Sequence, residues 1–199
     1  MKPRKHSHLK VMLVDEDADR AADVRAALEA NGCKVVSLQA SPLEIYDAVT
    51  ATSPDVIIID TESPSRDSLE SLAFVSRDRP HPIVIFSGDR SSETIRAAIR
   101  AGVSAYVVDG LSEARLQPIL EVAVERFATE QTLKQELADA KTQLADRKEV
   151  ERAKGILMKQ KNIPEEEAFQ LLRRLAMDRG IKLADAAARV IDMASIIGD

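Results

Sequence analysis

Four segments in the first 110 residues end in side chains that could bind a cation or a phosphoryl group. These side chains are Asp15 with Glu16, Asp60, Ser87 and Asp109, and each follows a short apolar run. Three carboxylates in one crevice repel each other, and Mg²⁺ bound by Asp15, Glu16 and Asp60 would relieve that repulsion. A carboxylate beside a cation can accept a phosphoryl group. The hydroxyl of Ser87 could then bind the new phosphoryl oxygen.

Alternating strands and helices must position these side chains. The apolar runs predict strands at 11–14, 34–38, 56–59, 83–86 and 105–108, and helical spacing predicts helices at 20–31, 43–51, 69–77 and 93–101. This order is typical of the α/β class, with a doubly wound, five-stranded parallel sheet and helices on both faces. The carboxyl ends of such strands meet at one edge, so the polar side chains should converge there. The simpler alternative is that each one only starts a loop or caps the next helix.

A long charged segment, Ser112–Lys161, follows the last strand. Strong helix formers fill it, and a continuous helix of this length would extend for about 75 Å. Apolar residues recur at heptad spacing, which predicts a short coiled coil and a homodimer: Leu116, Ile119, Ala123, Leu133, Leu137, Ala140 and Leu144. The early part could instead pack as the last helix of the sheet domain. A solvated spacer helix without a partner is the other alternative.

The last segment predicts two more amphipathic helices, which with the end of the long helix would form a three-helix bundle. Residues 147–199 carry 11 Lys or Arg and 9 Asp or Glu, a net charge of +2, whereas the whole chain has −5. Basic side chains outside the apolar faces could contact a nucleic-acid backbone, or could simply be solvated: Arg152, Lys154, Lys159, Arg173, Arg174 and Lys182. Phe169, the only aromatic residue after position 127, is expected in the core, so base stacking should contribute little.

Composition excludes several other classes of protein. The single Cys33 cannot form an internal disulfide, and neither CxxC spacing nor a histidine cluster indicates a zinc site. No apolar run reaches the roughly 18 residues of a membrane span, and no signal sequence is present. We therefore expect a cytoplasmic protein without membrane contact, without enzymatic activity and without a required cofactor. Mg²⁺ could bind in the acidic pocket without being required.

Residues 9–128 resemble the receiver domain of bacterial response regulators. The resemblance depends on the acidic pair Asp15-Glu16, on Asp60 as the phospho-acceptor position with Pro64 four residues later, and on Ser87 at the switch position. In that family a lysine follows the fifth strand, whereas this chain has Asp109. At about 4 Å and an effective dielectric of about 20, a charge pair is worth about 4 kcal/mol. Reversing the sign of that charge predicts that phosphorylation of Asp60 is not the switch.

Residues 148–193 resemble the ANTAR domain, an RNA-binding module of transcription antiterminators. The matching residues are Ala153–Met158, Glu167–Phe169 with Leu172-Arg173, and Lys182-Leu183 with Ala187. Together with segments 63–70 and 106–111, the chain looks most like nitrate/nitrite-assimilation antiterminators of the NasT type. The resemblance implies binding to paired six-nucleotide hairpin loops in an mRNA leader, which prevents terminator formation. It also implies control by a nitrate/nitrite-sensing protein.

The predicted organisation is a disordered tail at 1–8, a receiver-like domain at 9–128, a coiled-coil linker at 129–146 and an RNA-binding domain at 147–199. Two other functions remain open at this point. A phosphorylation-controlled DNA-binding regulator is one, because a helix-turn-helix also has three helices with a glycine turn. A signalling scaffold that makes only protein contacts is the other.

Overall fold

The structure is a computed structural model that describes residues 9–39, 41, 44–108 and 113–197. The predicted tail at 1–8 and the predicted charge-reversal residue Asp109 both lie outside the described residues. The chain forms two compact units, Met1–Gln131 and Thr132–Asp199.

The first unit contains a five-stranded parallel sheet with the strand order β2-β1-β3-β4-β5. Its strands are β1 Lys10–Asp15, β2 Lys34–Gln39, β3 Val56–Thr61, β4 Ile83–Ser87 and β5 Ala105–Val108. The helices between them are α1 Ala18–Ala30, α2 Ile45–Thr52, α3 Arg66–Asp78 and α4 Ser92–Arg100, and α5 Glu113–Lys161 follows β5. The predicted fold class is confirmed.

Helices cover both faces of this sheet, which explains the unbroken apolar runs of its central strands at 11–14, 56–59 and 83–86. Side chains alternate between the two faces along a strand, so Leu13 and Met12 belong to separate cores. One core joins the sheet to α1 and to the start of α5 through Leu116, Leu120 and Ala123. The other joins it to α2, α3 and α4.

The start of α5 therefore belongs to the sheet domain. Leu116 and Ala123 are fully buried, so these two heptad positions cannot contribute to a seam with another helix. Further along α5, Leu133, Leu137 and Leu144 are each more than half exposed. The coiled-coil prediction thus depends on the later part of the stripe.

Serine and aspartate side chains begin the helices next to the pocket. Asp17 accepts hydrogen bonds from the backbone N–H groups of Asp19 and Arg20, and Ser65 and Ser91 cap α3 and α4 in the same way.

The turn after α4 requires a glycine. Gly102 has a φ of +92°, and a Cβ there would overlap the side chain of Ser76. Only glycine fits this turn without strain.

The second unit contains the rest of α5 with α6 Glu165–Arg179 and α7 Leu183–Ile197. The three helices share a small core built from Ala153, Leu157, Ala168, Leu172 and Ala187. Three glutamates occupy the first turn of α6, where the helix dipole favours negative charge, and Gly180 ends α6 with a φ of +60°. In the part of the chain described, no helix is long and apolar enough to cross a membrane.

Candidate functional site

The carboxyl ends of β1, β3 and β4 bring together three of the predicted pocket residues. Asp15 is paired in register with Asp60 across the two neighbouring strands, and Ser87 follows on the next strand. These three side chains are buried, whereas Glu16 is exposed. Asp15, Glu16 and Asp60 line a cavity of about 150 Å³ that extends toward the loop after β3, and Ser87 is not part of its lining.

Arg20 occupies the place where the sequence suggested a cation. Its Nε and Nη2 atoms donate hydrogen bonds to the two carboxylate oxygens of Asp15, at 3.0 and 2.7 Å. The same Nε lies 3.6 Å from Oδ2 of Asp60. The Asp17 cap begins α1 at Ala18, which places Arg20 in the first turn of the helix, beside both carboxylates.

The Arg20 guanidinium offsets part of the negative charge in the pocket. Burial raises the pKa of Asp60, with a smaller opposing effect from Arg20 and a further upward effect from Asp15. The hydrogen bonds to Asp15 raise the pKa of Arg20, so its side chain stays charged. The pocket therefore carries its own fixed positive charge.

The residues present do not fit the predicted magnesium site. Within the described ranges, no group of three or more His, Cys, Asp or Glu side chains is placed to hold a metal ion. Asp15, Glu16 and Asp60 line the same cavity, but the Arg20 guanidinium pairs with Asp15 and lies beside Asp60. The sequence pattern had not indicated that Arg20 would neutralise the pocket. The one available signal was an arginine five residues after Asp15.

The Ser87 side chain has a structural role in the described part of the chain. Its hydroxyl donates to the carbonyl oxygen of Glu62 at 2.8 Å and accepts from the backbone N–H of Asp89 at 3.1 Å. The proton predicted to bind a phosphoryl oxygen is therefore engaged in joining the loops after β3 and β4.

Asp89 extends this connection, and sequence reasoning missed it. Its carboxylate accepts hydrogen bonds from the Ser63 hydroxyl at 2.8 Å, the Thr94 hydroxyl at 2.9 Å and the Ser91 N–H at 2.7 Å. Its carbonyl accepts from the Tyr106 hydroxyl at 3.0 Å. The Ser91 N–H, followed by the Ser63 and Thr94 hydroxyls, holds the pKa of Asp89 below its ordinary value. The only signal in the sequence was an Asp two residues before a helix-capping Ser.

The basic side chains of the second unit divide into two kinds. Five of the six predicted contacts are exposed: Arg152, Lys159, Arg173, Arg174 and Lys182. Lys154 is the exception, since it is only 8% exposed and its Nζ atom pairs with Glu165 at 2.5 Å and Glu151 at 2.9 Å. The Glu165 hydrogen bond, with that of Glu151, raises the pKa of Lys154. Lys154 therefore connects α5 to the first turn of α6, which is a structural role that the sequence had not predicted.

Phe169 also differs from its predicted place. Its side chain is 36% exposed, and the core of the second unit forms without it. Arg173 is four residues further along α6, so the two lie on the same face of that helix. Both side chains are exposed on that face.

Comparison with known proteins agrees with both halves of this description. Residues 11–121 match the response regulator receiver domain, so the first unit has the fold of the response-regulator class. Residues 138–191 match the ANTAR domain. The chain belongs to the response regulators in which a receiver domain is joined to an ANTAR domain, a class of RNA-binding antitermination regulators.

A relative from Mycobacterium tuberculosis matches along nearly the whole chain. The transcriptional regulatory protein PdtaR of Mycobacterium tuberculosis is 30% identical over 183 residues, which cover 92% of this chain and 89% of PdtaR. A protein-glutamate methylesterase/protein-glutamine glutaminase of Gluconobacter oxydans is 33% identical over 101 residues, but these cover 49% of this chain and 29% of that enzyme. The second match comes through the receiver domain and assigns no enzymatic activity to this chain.

Solved structures agree on the receiver fold. The signal receiver domain of a modulated diguanylate cyclase from Desulfovibrio desulfuricans G20 has a TM-score of 0.54 at 22% identity, covering 61% of this chain and 98% of that one. A LuxR-family two-component response regulator from Aurantimonas sp. SI85-9A1 has a TM-score of 0.53 at 25% identity, covering 63% and 99%.

Proposed function

We propose that this protein is a transcription antiterminator that binds two hairpins with six-nucleotide loops in an mRNA leader and so prevents an overlapping terminator from forming. The ANTAR match over residues 138–191 is the observation that carries this proposal. Exposed cations on the same unit support it, since five of them make no ion pair with another described residue: Arg152, Lys159, Arg173, Arg174 and Lys182. They leave a surface that can neutralise phosphates.

The second part of the proposal concerns how the signal arrives. The Arg20 side chain pairs with Asp15 and lies beside Asp60, and the Ser87 proton is engaged by Glu62. Both observations favour control by a partner protein over phosphorylation of Asp60. The resemblance of segments 63–70 and 106–111 to NasT-type regulators supports a nitrate/nitrite-sensing partner and target genes for nitrate/nitrite assimilation.

The third part is that two copies act together through the later part of α5. The exposed side chains of Leu133, Leu137 and Leu144 would be buried in a coiled coil of two such helices. Binding one hairpin with each copy makes the second contact intramolecular, which raises the overall affinity. We retain 9–128, 129–146 and 147–199 as the proposed domain boundaries.

RNA binding is tested by gel shift with a two-hairpin leader RNA and with duplex DNA of the same sequence. We expect the RNA to bind more tightly and its affinity to fall steeply as salt rises, because phosphate contacts release counterions. Arg173→Ala should weaken RNA binding and reduce the magnitude of the salt slope by about one. The matched control is Arg100→Ala in α4, which removes an exposed arginine of the receiver domain and should change neither quantity. Tighter binding to duplex DNA would contradict the proposal.

Lys154→Ala separates a structural role from an RNA contact. Because Lys154 pairs with Glu165 and Glu151, its loss should lower the thermal stability of the helical unit. The salt slope of RNA binding should remain that of the wild type. A reduced slope with unchanged stability would restore Lys154 to the set of RNA contacts.

Control by phosphorylation is tested with acetyl phosphate and Mg²⁺, followed by mass spectrometry. We expect no phosphoryl group on Asp60, with Asp60→Asn as the background control. Clear labelling of Asp60 would contradict this part of the proposal.

Control by a partner is tested by measuring RNA binding with a nitrate-sensing protein, with and without nitrate. The sensor should suppress binding and nitrate should restore it, and an unchanged affinity would contradict the expectation.

A further inference from the structure

A groove in the second unit lies between α5 and α7. Its volume is about 360 Å³, at the lower end of the roughly 300–1,000 Å³ of sites that hold small ligands. Six residues line it: Lys148, Glu149, Arg152, Ala188, Ile191 and Asp192.

The floor of this groove is apolar and half-buried. Ala188 and Ile191 are both partly covered, and Ile191 also packs against the core of the unit. The floor is therefore backed by packed side chains of the bundle. A flat ring placed on it would remove more apolar surface from water.

The rim of the groove has two charges of each sign. Lys148 and Arg152 are exposed on α5, and Glu149 and Asp192 are exposed carboxylates. None of these four side chains forms a hydrogen bond or ion pair with another residue in the described part of the chain. Their charges sum to zero, so a phosphate would gain from the cations and lose to the carboxylates. A nucleobase edge, in contrast, presents both donors and acceptors.

We propose that this groove binds one unpaired base of a hairpin loop. The base lies on Ala188 and Ile191, the Asp192 carboxylate accepts a hydrogen bond from the base, and Arg152 donates one to a carbonyl or ring nitrogen. Proteins commonly read single-stranded loops through such edge contacts. This inference rests on the proposed RNA-binding function. It assigns to this groove the loop base that gives the protein its sequence preference.

The test compares Asp192→Asn with Asp178→Asn in the full chain, using a two-hairpin RNA with six-nucleotide loops. Each substitution removes one exposed negative charge, so attraction to the backbone alone predicts that both variants bind RNA more tightly. The groove predicts the opposite sign for Asp192→Asn. In Asp192→Asn the base would form its hydrogen bond to a neutral amide instead of a charged carboxylate, which should weaken RNA binding about tenfold. Asp178→Asn should bind the RNA as tightly as the wild type or more tightly.

A second variant, Ala188→Leu, tests the same groove by filling its floor. It should weaken binding to the same RNA, with the thermal unfolding curve used to confirm that the unit still folds. Abasic substitution at each loop position should then identify one position whose loss weakens the wild type strongly and Asp192→Asn little. Such non-additivity indicates direct contact.

Three outcomes would overturn the inference. If the wild type binds the RNA and neither groove variant is weaker, the groove is not used, although the proposed function stands. If Asp192→Asn binds more tightly, as Asp178→Asn should, the rim acts only through net charge. If the wild type fails to bind hairpin RNA even at low salt, the proposed function fails, and the inference fails with it.

Discussion

Replacing Arg20 by alanine should destabilise the receiver domain by about 2–4 kcal/mol. The Asp15 side chain has no exposed surface and would lose two of its hydrogen bonds, keeping the one from the Asp17 N–H at 2.9 Å. Removing one partner of a buried ion pair costs about 3–5 kcal/mol. The Arg20 side chain is 35% exposed, so water can replace part of the interaction, which lowers the expected cost.

Tyrosine fluorescence during urea unfolding measures this loss. The chain has two tyrosines, Tyr46 and Tyr106, and no tryptophan, so the signal follows the receiver domain alone in the full-length protein. Arg25→Ala is the matched control on the same helix. Its ion pair with Glu29 is exposed on both sides, and losing it should cost less than about 0.5 kcal/mol.

Two further measurements separate the pocket charge from a general effect of shortening the side chain. Adding Asp15→Asn to Arg20→Ala should recover part of the lost stability, because the buried charge without its partner is then gone. Mg²⁺ should stabilise Arg20→Ala more than the wild type, because the carboxylates no longer hold a guanidinium. If Arg20→Ala costs no more stability than Arg25→Ala, or if Mg²⁺ stabilises the wild type and Arg20→Ala equally, Arg20 does not neutralise the pocket.

Three other predictions follow from separate features. Gly102→Ala should lower the free energy of unfolding in urea by about 2–4 kcal/mol, because its φ is positive and the new Cβ would overlap Ser76. Gly180→Ala also has a positive φ but open space around it, so it should lower that free energy by only about 1–2 kcal/mol. Equal losses would contradict the overlap at Gly102. Leu137→Lys should shift sedimentation equilibrium toward monomer while the exposed control Gln143→Lys does not; a monomeric wild type would contradict the proposed dimer. Because burial raises the pKa of Asp60, the folded domain binds a proton more readily than the unfolded chain, so stability falls as pH rises through the raised pKa. Asp60→Asn should therefore be more stable than the wild type at pH 7, with the difference vanishing below about pH 3.9, and a less stable variant at pH 7 would contradict this sign.

The sheet was predictable to within one or two residues per strand because a strand buried on both faces needs an unbroken apolar run. Helix starts were less accurate. Helix α1 was predicted to begin at Arg20, but it begins at Ala18 because Asp17 caps it. Helix α3 was predicted to begin at Leu69, but it begins at Arg66 because Ser65 caps a first turn that is entirely polar. Hydrophobic spacing cannot detect a polar first turn, so the cap decides where these helices begin.

The acidic pocket was predictable only as far as topology determines it. Parallel strand ends brought Asp15, Asp60 and Ser87 together as expected, but the direction of the Arg20 side chain depends on how Asp17 shapes the loop before α1. Lys154 was misplaced for a related reason. Its partner Glu165 is eleven residues later, beyond a turn, and the sequence pattern explained that glutamate through the helix dipole alone.

Asp89 has a consequence for how the receiver domain can transmit information. Because one carboxylate accepts hydrogen bonds from Ser63 and Thr94 at once, a shift of the segment leading into α3 against the start of α4 would break at least one of these bonds. The Asp89 carbonyl accepts a hydrogen bond from Tyr106, so the same residue also connects these two segments to β5. A single residue thus joins the ends of β3, β4 and β5 by noncovalent contacts alone.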